Sequence, residues 1–319
     1  YFGCPAEEGG AAKAFMVRAG AFDDVDVAIS WHPASMTKVD DALSLANTRM
    51  DFQFTGRASH AAAAPHLGRS ALDAVELMNV GVNYMREHAP SDARIHYAYL
   101  DAGGIAPNVV QASAKVRYAI RARDLAGMLE LNERVKKIAE GAALMTETTV
   151  SISIMSAVSN MLGNTPLEDA MFKNIDRLGP VPFDAADKAY AAKIQATLGP
   201  ADILNDYRRT GIAPREDTPL CDFVVPQGTR GVPMIGSTDV IGTPGHSWQI
   251  TAQGKAPAAH KGMVHAAKIM AATAVDVISD ETLLARAKKD HQERVTQTPY
   301  VCPIPADVKP PIKPRPQAA

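Results

Sequence analysis

The sequence predicts an α/β protein in which a ferredoxin-like α+β module interrupts a larger α/β domain. Three observations lead there. Between residues 47 and 158 the hydrophobic period switches in the order β-α-β-β-α-β. The strands of that run alternate apolar with polar residues, so each has one wet face. The flanking stretches, 1–46 and 159–319, combine short apolar runs with amphipathic helices and lack that alternation.

The elements follow in order. Residues 10–19 read as a helix stopped by Gly20, and Val25–Trp31 reads as a short buried strand. Thr48–Thr55 alternates Met50, Phe52 and Phe54 against Asp51, Gln53 and Thr55. Leu67–Glu87 is a long amphipathic helix, Ile95–Leu100 a strand, Ser113–Ala122 a second alternating strand. Leu125–Leu144 is a helix and Thr148–Val158 the fourth strand. Beyond it, Pro166–Leu178 reads as a helix capped by Thr165, followed by a helix over Ala185–Leu198. Residues 199–231 read as loop. Ala258–Ile278 and Asp280–Thr296 read as helices, and the proline-rich tail from Pro299 as an extended surface segment.

Composition narrows the function. Lys plus Arg is 33 against 35 Asp plus Glu, a net charge of −2, with no local basic cluster. Nucleic acid and an anionic membrane are therefore excluded as main partners. No apolar run looks long enough to span a bilayer. Cys4, Cys221 and Cys302 are odd in number and far apart, which fits a reducing, cytoplasmic setting. The chain opens at Tyr1-Phe2-Gly3-Cys4-Pro5 without Met or signal peptide, as though inside a folded element.

Five strings carry candidate chemistry. Pro5-Ala6-Glu7-Glu8-Gly9-Gly10 sets two carboxylates where a strand gives way to a helix, a place where open α/β sheets bind ligands. Glu7 and Glu8 could serve a metal and a water, or could simply be the charged first turn of a helix. His32, at the end of an apolar run and fixed by Pro33, suits an imidazole metal ligand or a hydrogen-bonded core histidine. In Gly56-Arg57-Ala58-Ser59-His60-Ala61-Ala62, followed by Pro65-His66, small neighbours leave His60 free to donate to an oxyanion; a plain surface loop is the alternative. Asn108, in Gly103-Gly104-Ile105-Ala106-Pro107-Asn108-Val109-Val110, could read a carboxylate or hold its own turn. His246, in Gly242-Thr243-Pro244-Gly245-His246-Ser247-Trp248, sits in a loop able to close a site.

In this order, the strings resemble the M20 metallopeptidases, most closely their amidohydrolase branch, over nearly the whole chain. The segment 172–231, absent from shorter relatives, is part of that likeness. The resemblance implies a zinc-peptidase-like α/β catalytic domain, residues 1–46 and 159–319, with an inserted dimerisation or lid domain, residues 47–158. It implies Glu7 as general base, and Glu8, His32 and His246 as metal ligands. It implies His60 as the oxyanion donor that reaches a neighbouring subunit's site, Asn108 near the substrate carboxylate, and Arg121 as a weaker substrate contact or a structural arginine. The cofactor implied is a divalent metal, two ions, zinc or manganese. The partner is a second copy or a homologous subunit. The reaction is hydrolysis of the amide of an N-acyl amino acid, an aroyl-glutamate of the p-aminobenzoyl kind.

Two departures accompany the resemblance. The family draws further ligands from upstream of the double Glu, and neither Cys221 nor Cys302 sits in a matching motif. Ser237-Thr238-Asp239-Val240 also runs straight into Ile241-Gly242, where relatives have a longer connection. A non-catalytic partner subunit, and a ligand-binding protein that has lost its metal, are the competing expectations.

Overall fold

The computed structural model describes residues 1–39, 44–215, 218–228 and 238–312. The chain divides into two compact units. The first joins Tyr1–Asp24, Ser44–Met161 and Tyr300–Ala319; the second joins Val25–Leu43 and Leu162–Pro299.

The first unit is built on a four-stranded antiparallel sheet: β1 (Ala46–Thr55), β2 (Arg94–Asp101), β3 (Ser113–Ala122) and β4 (Thr149–Val158). The spatial order is β2-β3-β1-β4, the ferredoxin-like arrangement that the alternating pattern predicts. Two helices, α3 (Ala71–Arg86) and α4 (Leu125–Thr146), cover one face. Each starts on a side-chain cap: Ser70 accepts from the Asp73 amide and Asp124 from the Gly127 amide. Met50, Phe52 and Phe54 of β1 and Val116, Tyr118 and Ile120 of β3 pack against Val75, Met78, Val82, Met128, Leu131 and Val135. Period 2 on the strands and period 3.6 on the helices aim these residues at one another.

The opposite sheet face is polar. Asp51, nearly inaccessible, takes Arg117 on both oxygens at 2.6 and 3.0 Å and Lys115 at 3.2 Å. Burial pushes its carboxyl up, but the two cations outweigh that and hold it below the ordinary carboxylate value. Ahead of the sheet lie α1 (Glu7–Gly10) and α2 (Ala12–Arg18), with Gly20 left-handed after α2. Ala11, Ala14 and Phe15 pack with Ala157 of β4 and with Ile304 of the tail. The described tail residues form no helix or strand, as their prolines require.

The second unit holds α5 (Thr165–Leu178), α6 (Ala185–Gln195), α7 (Pro200–Thr210), α8 (Trp248–Gln253), α9 (Pro257–Ser279) and α10 (Glu281–Gln297). Four expectations change here. First, residues 25–31 form no strand among the described residues. Their backbone finds no ladder partner, and Ile29 and Trp31 pack instead on Met171 and Ile175 of α5 and Ala266 and Ile269 of α9. Second, the cap of α5 is Asn164, which accepts from the Leu167 amide, one residue before the expected Thr165. Third, 200–210 is helical within the expected loop; Asp202 bonds back to the Gly199 amide and Gly211 ends the helix left-handed. Fourth, α9 is long and apolar enough, by length and composition, to cross a bilayer. Its alanine-rich face is nevertheless used for packing against α5.

Candidate functional site

The double carboxylate lies on α1, a single turn between two left-handed alanines, Ala6 at φ 54° and Ala11 at φ 50°. An alanine there costs about 1 kcal/mol, so tertiary contacts must hold the turn. The Gly10 amide bonds to the Ala6 carbonyl at 2.7 Å, and a Cβ on Gly10 would come within 2.8 Å of the Ala6 methyl. Arg49 of β1 donates to the Glu8 carbonyl and ties the turn to the sheet. Both Glu side chains are exposed.

Beside the turn is a cavity of about 230 Å³, lined by Glu7, Glu8, Asn47, Arg49, Arg121 and Ser156 among others. Strand register explains this company. Asn47 faces Arg121 across β1 and β3, and Arg49 faces Ser156 across β1 and β4. All four side chains leave the sheet on its polar face. The adjacent Glu7 and Glu8 are thus brought together with Arg121, distant from them in sequence.

His60 and Asn108 meet elsewhere in the same unit. Gly56 lets the Arg69 carbonyl approach so closely that a Cβ would sit 2.0 Å from it, and Arg57 and Arg69 exchange backbone hydrogen bonds at 2.8 and 2.9 Å. The closed loop bridges His60 to Val109, and the Ala61 amide donates to the Asn108 carbonyl at 2.9 Å. The Nδ1 of His60 accepts the amides of Ala62 at 3.2 Å and Ala63 at 3.1 Å. Backbone amides only donate, so the proton of the neutral ring is on Nε2, at an exposed edge.

His32 and His246 lie in the second unit. The Nδ1 of His32 donates to the Pro33 carbonyl at 2.7 Å, which leaves Nε2 as a bare acceptor on an exposed ring. The buried Thr238 and its neighbour Asp239 both donate their amides to Ala34. Burial pushes the Asp239 carboxyl up, with Thr238 and His32 pulling the other way. His246 is left-handed at φ 57° and exposed, one residue before Ser247, which caps α8 by accepting the Ile250 amide.

The donor types fit a divalent ion: carboxylate from Glu8 and a bare imidazole nitrogen from His32. Among the described residues, however, no three His, Cys, Asp or Glu side chains gather around one point. Glu8 belongs to the first unit, His32 and His246 to the second. Asn47, Arg49 and Ser156 were not expected at the site. Nothing in their local sequence singles them out, because only the register opposite Arg121 and β4 puts them there.

Comparison with known proteins adds the following. The family described as "Peptidase dimerisation domain" matches residues 46–147, the part of the sheet-and-helix module from β1 through α4. The chain is 44% identical to the B-type subunit of p-aminobenzoyl-glutamate hydrolase of Escherichia coli, over 98% of this chain and 71% of that protein. That alignment runs over 342 positions, more than the 319 residues here, so the relative carries internal residues that this chain lacks. The chain is 30% identical to Xaa-Arg dipeptidase of Mus musculus, over 90% of this chain and 61% of that protein. It is 31% identical to the A-type subunit of p-aminobenzoyl-glutamate hydrolase of E. coli, over 49% of this chain and 36% of that protein. The chain thus spans only part of the length of each of these relatives.

Proposed function

Because the chain belongs to the M20 peptidase family, we propose that it is an amidohydrolase that splits p-aminobenzoyl-glutamate into p-aminobenzoate and glutamate. The observation that carries this reading is the shared cavity of Glu7, Glu8 and Arg121. A carboxylate that can take a proton, a second that can hold a metal, and a guanidinium for an anionic substrate are what amide hydrolysis of an acidic N-acyl amino acid needs.

Enzymes of this family generally depend on a divalent metal. Its expected ligands, for two ions of zinc or manganese, are Glu8 within the first unit and His32 and His246 within the second. When bound it would polarise the scissile carbonyl and acidify a water. The chain's own residues do the rest. Glu7 accepts the proton of the attacking water on its carboxylate and passes it to the leaving nitrogen. Arg121 pairs with a substrate carboxylate. His60 donates its Nε2–H to the oxyanion.

His60 does this for a neighbouring protomer. Asn47, the second residue of β1, lines the Glu7 cavity and Thr55 ends the strand, so at about 3.3 Å per residue the His60 loop starts roughly 25 Å from that cavity. The match of residues 46–147 to a dimerisation domain, and the likeness to both subunit types of one hydrolase, support a homologous chain as that neighbour, either a second copy or a related protein. A purely non-catalytic role is not favoured, since Glu7 and Glu8 are held with Arg121 on this chain. Three free thiols agree with a cytoplasmic setting.

The test is release of p-aminobenzoate from p-aminobenzoyl-glutamate by the purified protein supplied with zinc or manganese. Turnover that vanishes in Glu7→Gln supports the reading. No turnover with either metal, or turnover that survives Glu7→Gln, overturns it.

A further inference from the structure

The turn that carries Glu7 and Glu8 has a carbonyl that the main chain does not use. Left-handed Ala11 stops α1 after Gly10, and among the described residues no backbone amide donates to the Glu8 oxygen. A carbonyl left over at a helix end needs another donor. Arg49 supplies it. Among the described residues, its guanidinium is the one side chain that hydrogen-bonds to residues 6–11.

The sheet is irregular at this residue. Against β4 the register shifts between Arg49 and Met50: Arg49 faces Ser156 and Met50 faces Ile154, so Met155 is one residue extra. A bulge of this kind bends its strand, raises the local twist and re-aims the side chains beside it. Among the described residues Arg49 forms no ion pair, although Glu7 and Glu8 line the same cavity. It thus holds the main chain of the turn and leaves both carboxylates free. Arg121 leaves the same sheet face, opposite the residue two before Arg49 on β1.

We infer that Arg49 is a positioning residue: by taking the Glu8 carbonyl it fixes the Glu7–Glu8 turn on the sheet that also carries Arg121. The inference rests on the amidohydrolase reading and deepens it. A general base works only at the right place relative to the bound substrate. Arg121 anchors the substrate from β3, and Glu7 stands on a single turn between two strained alanines, too short to hold itself. The Arg49 bond refers both groups to one rigid support. A Cβ on Gly10 would meet the Ala6 methyl at 2.8 Å, so the turn is also confined on its inner side.

Two readouts on the full chain supplied with metal test it. Steady-state hydrolysis of p-aminobenzoyl-glutamate separates kcat from KM. Arg49→Met lowers kcat about ten- to hundredfold, the cost of a misplaced base, and moves KM less than about twofold, because Arg121 is untouched. Arg49→Lys, which keeps one donor, recovers part of kcat. Backbone hydrogen exchange, read without substrate, quickens about tenfold over residues 6–11 in Arg49→Met and stays unchanged over β1–β4. An unchanged kcat in Arg49→Met, or unchanged exchange in the turn, overturns the inference. So does a raised KM at constant kcat, which makes Arg49 a substrate ligand, and so does faster exchange throughout the sheet, which makes it a residue of the fold. No turnover by the wild-type chain sinks the amidohydrolase reading instead, and the exchange comparison still decides whether Arg49 holds the turn.

Discussion

Two loops bear a candidate histidine each, His32 and His60, and they hold the ring in opposite ways. Around His32 the backbone presents a carbonyl, Pro33, which takes the Nδ1 proton at 2.7 Å. Around His60 the backbone presents two amides, Ala62 and Ala63, which occupy Nδ1 as an acceptor. The far nitrogen is therefore bare on His32 and protonated on His60. A bare nitrogen ligates a metal; a protonated one stabilises an oxyanion. Both histidines have small or rigid neighbours in sequence, so residue type alone does not separate them. Main-chain polarity around the near nitrogen does.

This contrast can be broken by substitution. The largest effect belongs to the carboxylate that the histidines would serve. Glu7→Gln lowers turnover about 10³-fold while the bound metal, measured by elemental mass spectrometry, stays constant. Loss of metal in that variant would mean that the roles of Glu7 and Glu8 are exchanged. Next is His60→Ala, which lowers turnover about 10²-fold with metal content unchanged. His60→Gln recovers part of the loss, because a glutamine amide also donates. An unaltered rate in His60→Ala would remove this ring from the mechanism. His32→Ala weakens metal binding at least about tenfold, and glutamine does not rescue it fully, because its nitrogen lone pair is delocalised and only a carbonyl oxygen, a weaker donor than imidazole, is left to offer. Full metal occupancy in His32→Ala would end its assignment as a ligand.

A smaller effect lies under the sheet's polar face. Asp51 has its carboxyl held below the ordinary value by Arg117 and Lys115, against the opposing effect of burial. Its contribution is present above the unfolded pKa, about 3.9, and is lost as pH falls through the lower folded value. Thermal unfolding from pH 6 to pH 3 therefore shows a drop in midpoint below about pH 4. Asp51→Asn is less stable at pH 6 by about 2 kcal/mol, since both cations lose their partner, and shows a shallower drop. An identical acid profile in the variant would place the acid sensitivity elsewhere.

The legibility of the fold differs between the units for physical reasons. In the sheet module one face is buried and the other polar, so alternation announces each strand. The expected span Ser113–Ala122 coincides with β3, and the other strand and helix boundaries shift by a few residues at most. In the second unit the signals compete. Val25–Trp31 has the composition of a strand but serves as an apolar strap against α5 and α9. Residues 200–210 look like loop because their buried residues mix polar Asp206 and Thr210 with Tyr207, while the cap is a glycine completed by Asp202. At the site, the residue types of Glu7, Glu8, His60, Asn108 and Arg121 are visible in the sequence. Ring tautomers and the pairing of Asn47 with Arg121 are not, because both are set by backbone groups outside the motifs that carry them.

The most direct test of the account is complementation between protomers. Its central claim is that Glu7 and His60, at opposite ends of β1, act together only across a boundary between two chains. Purified Glu7→Gln and His60→Ala proteins, each nearly inactive, are unfolded, mixed, refolded with metal, and assayed for release of p-aminobenzoate. The account predicts that the mixture recovers a substantial fraction of wild-type turnover, because mixed assemblies contain one site with both groups intact. A mixture no more active than its two parents, from proteins shown to exchange protomers, would contradict it.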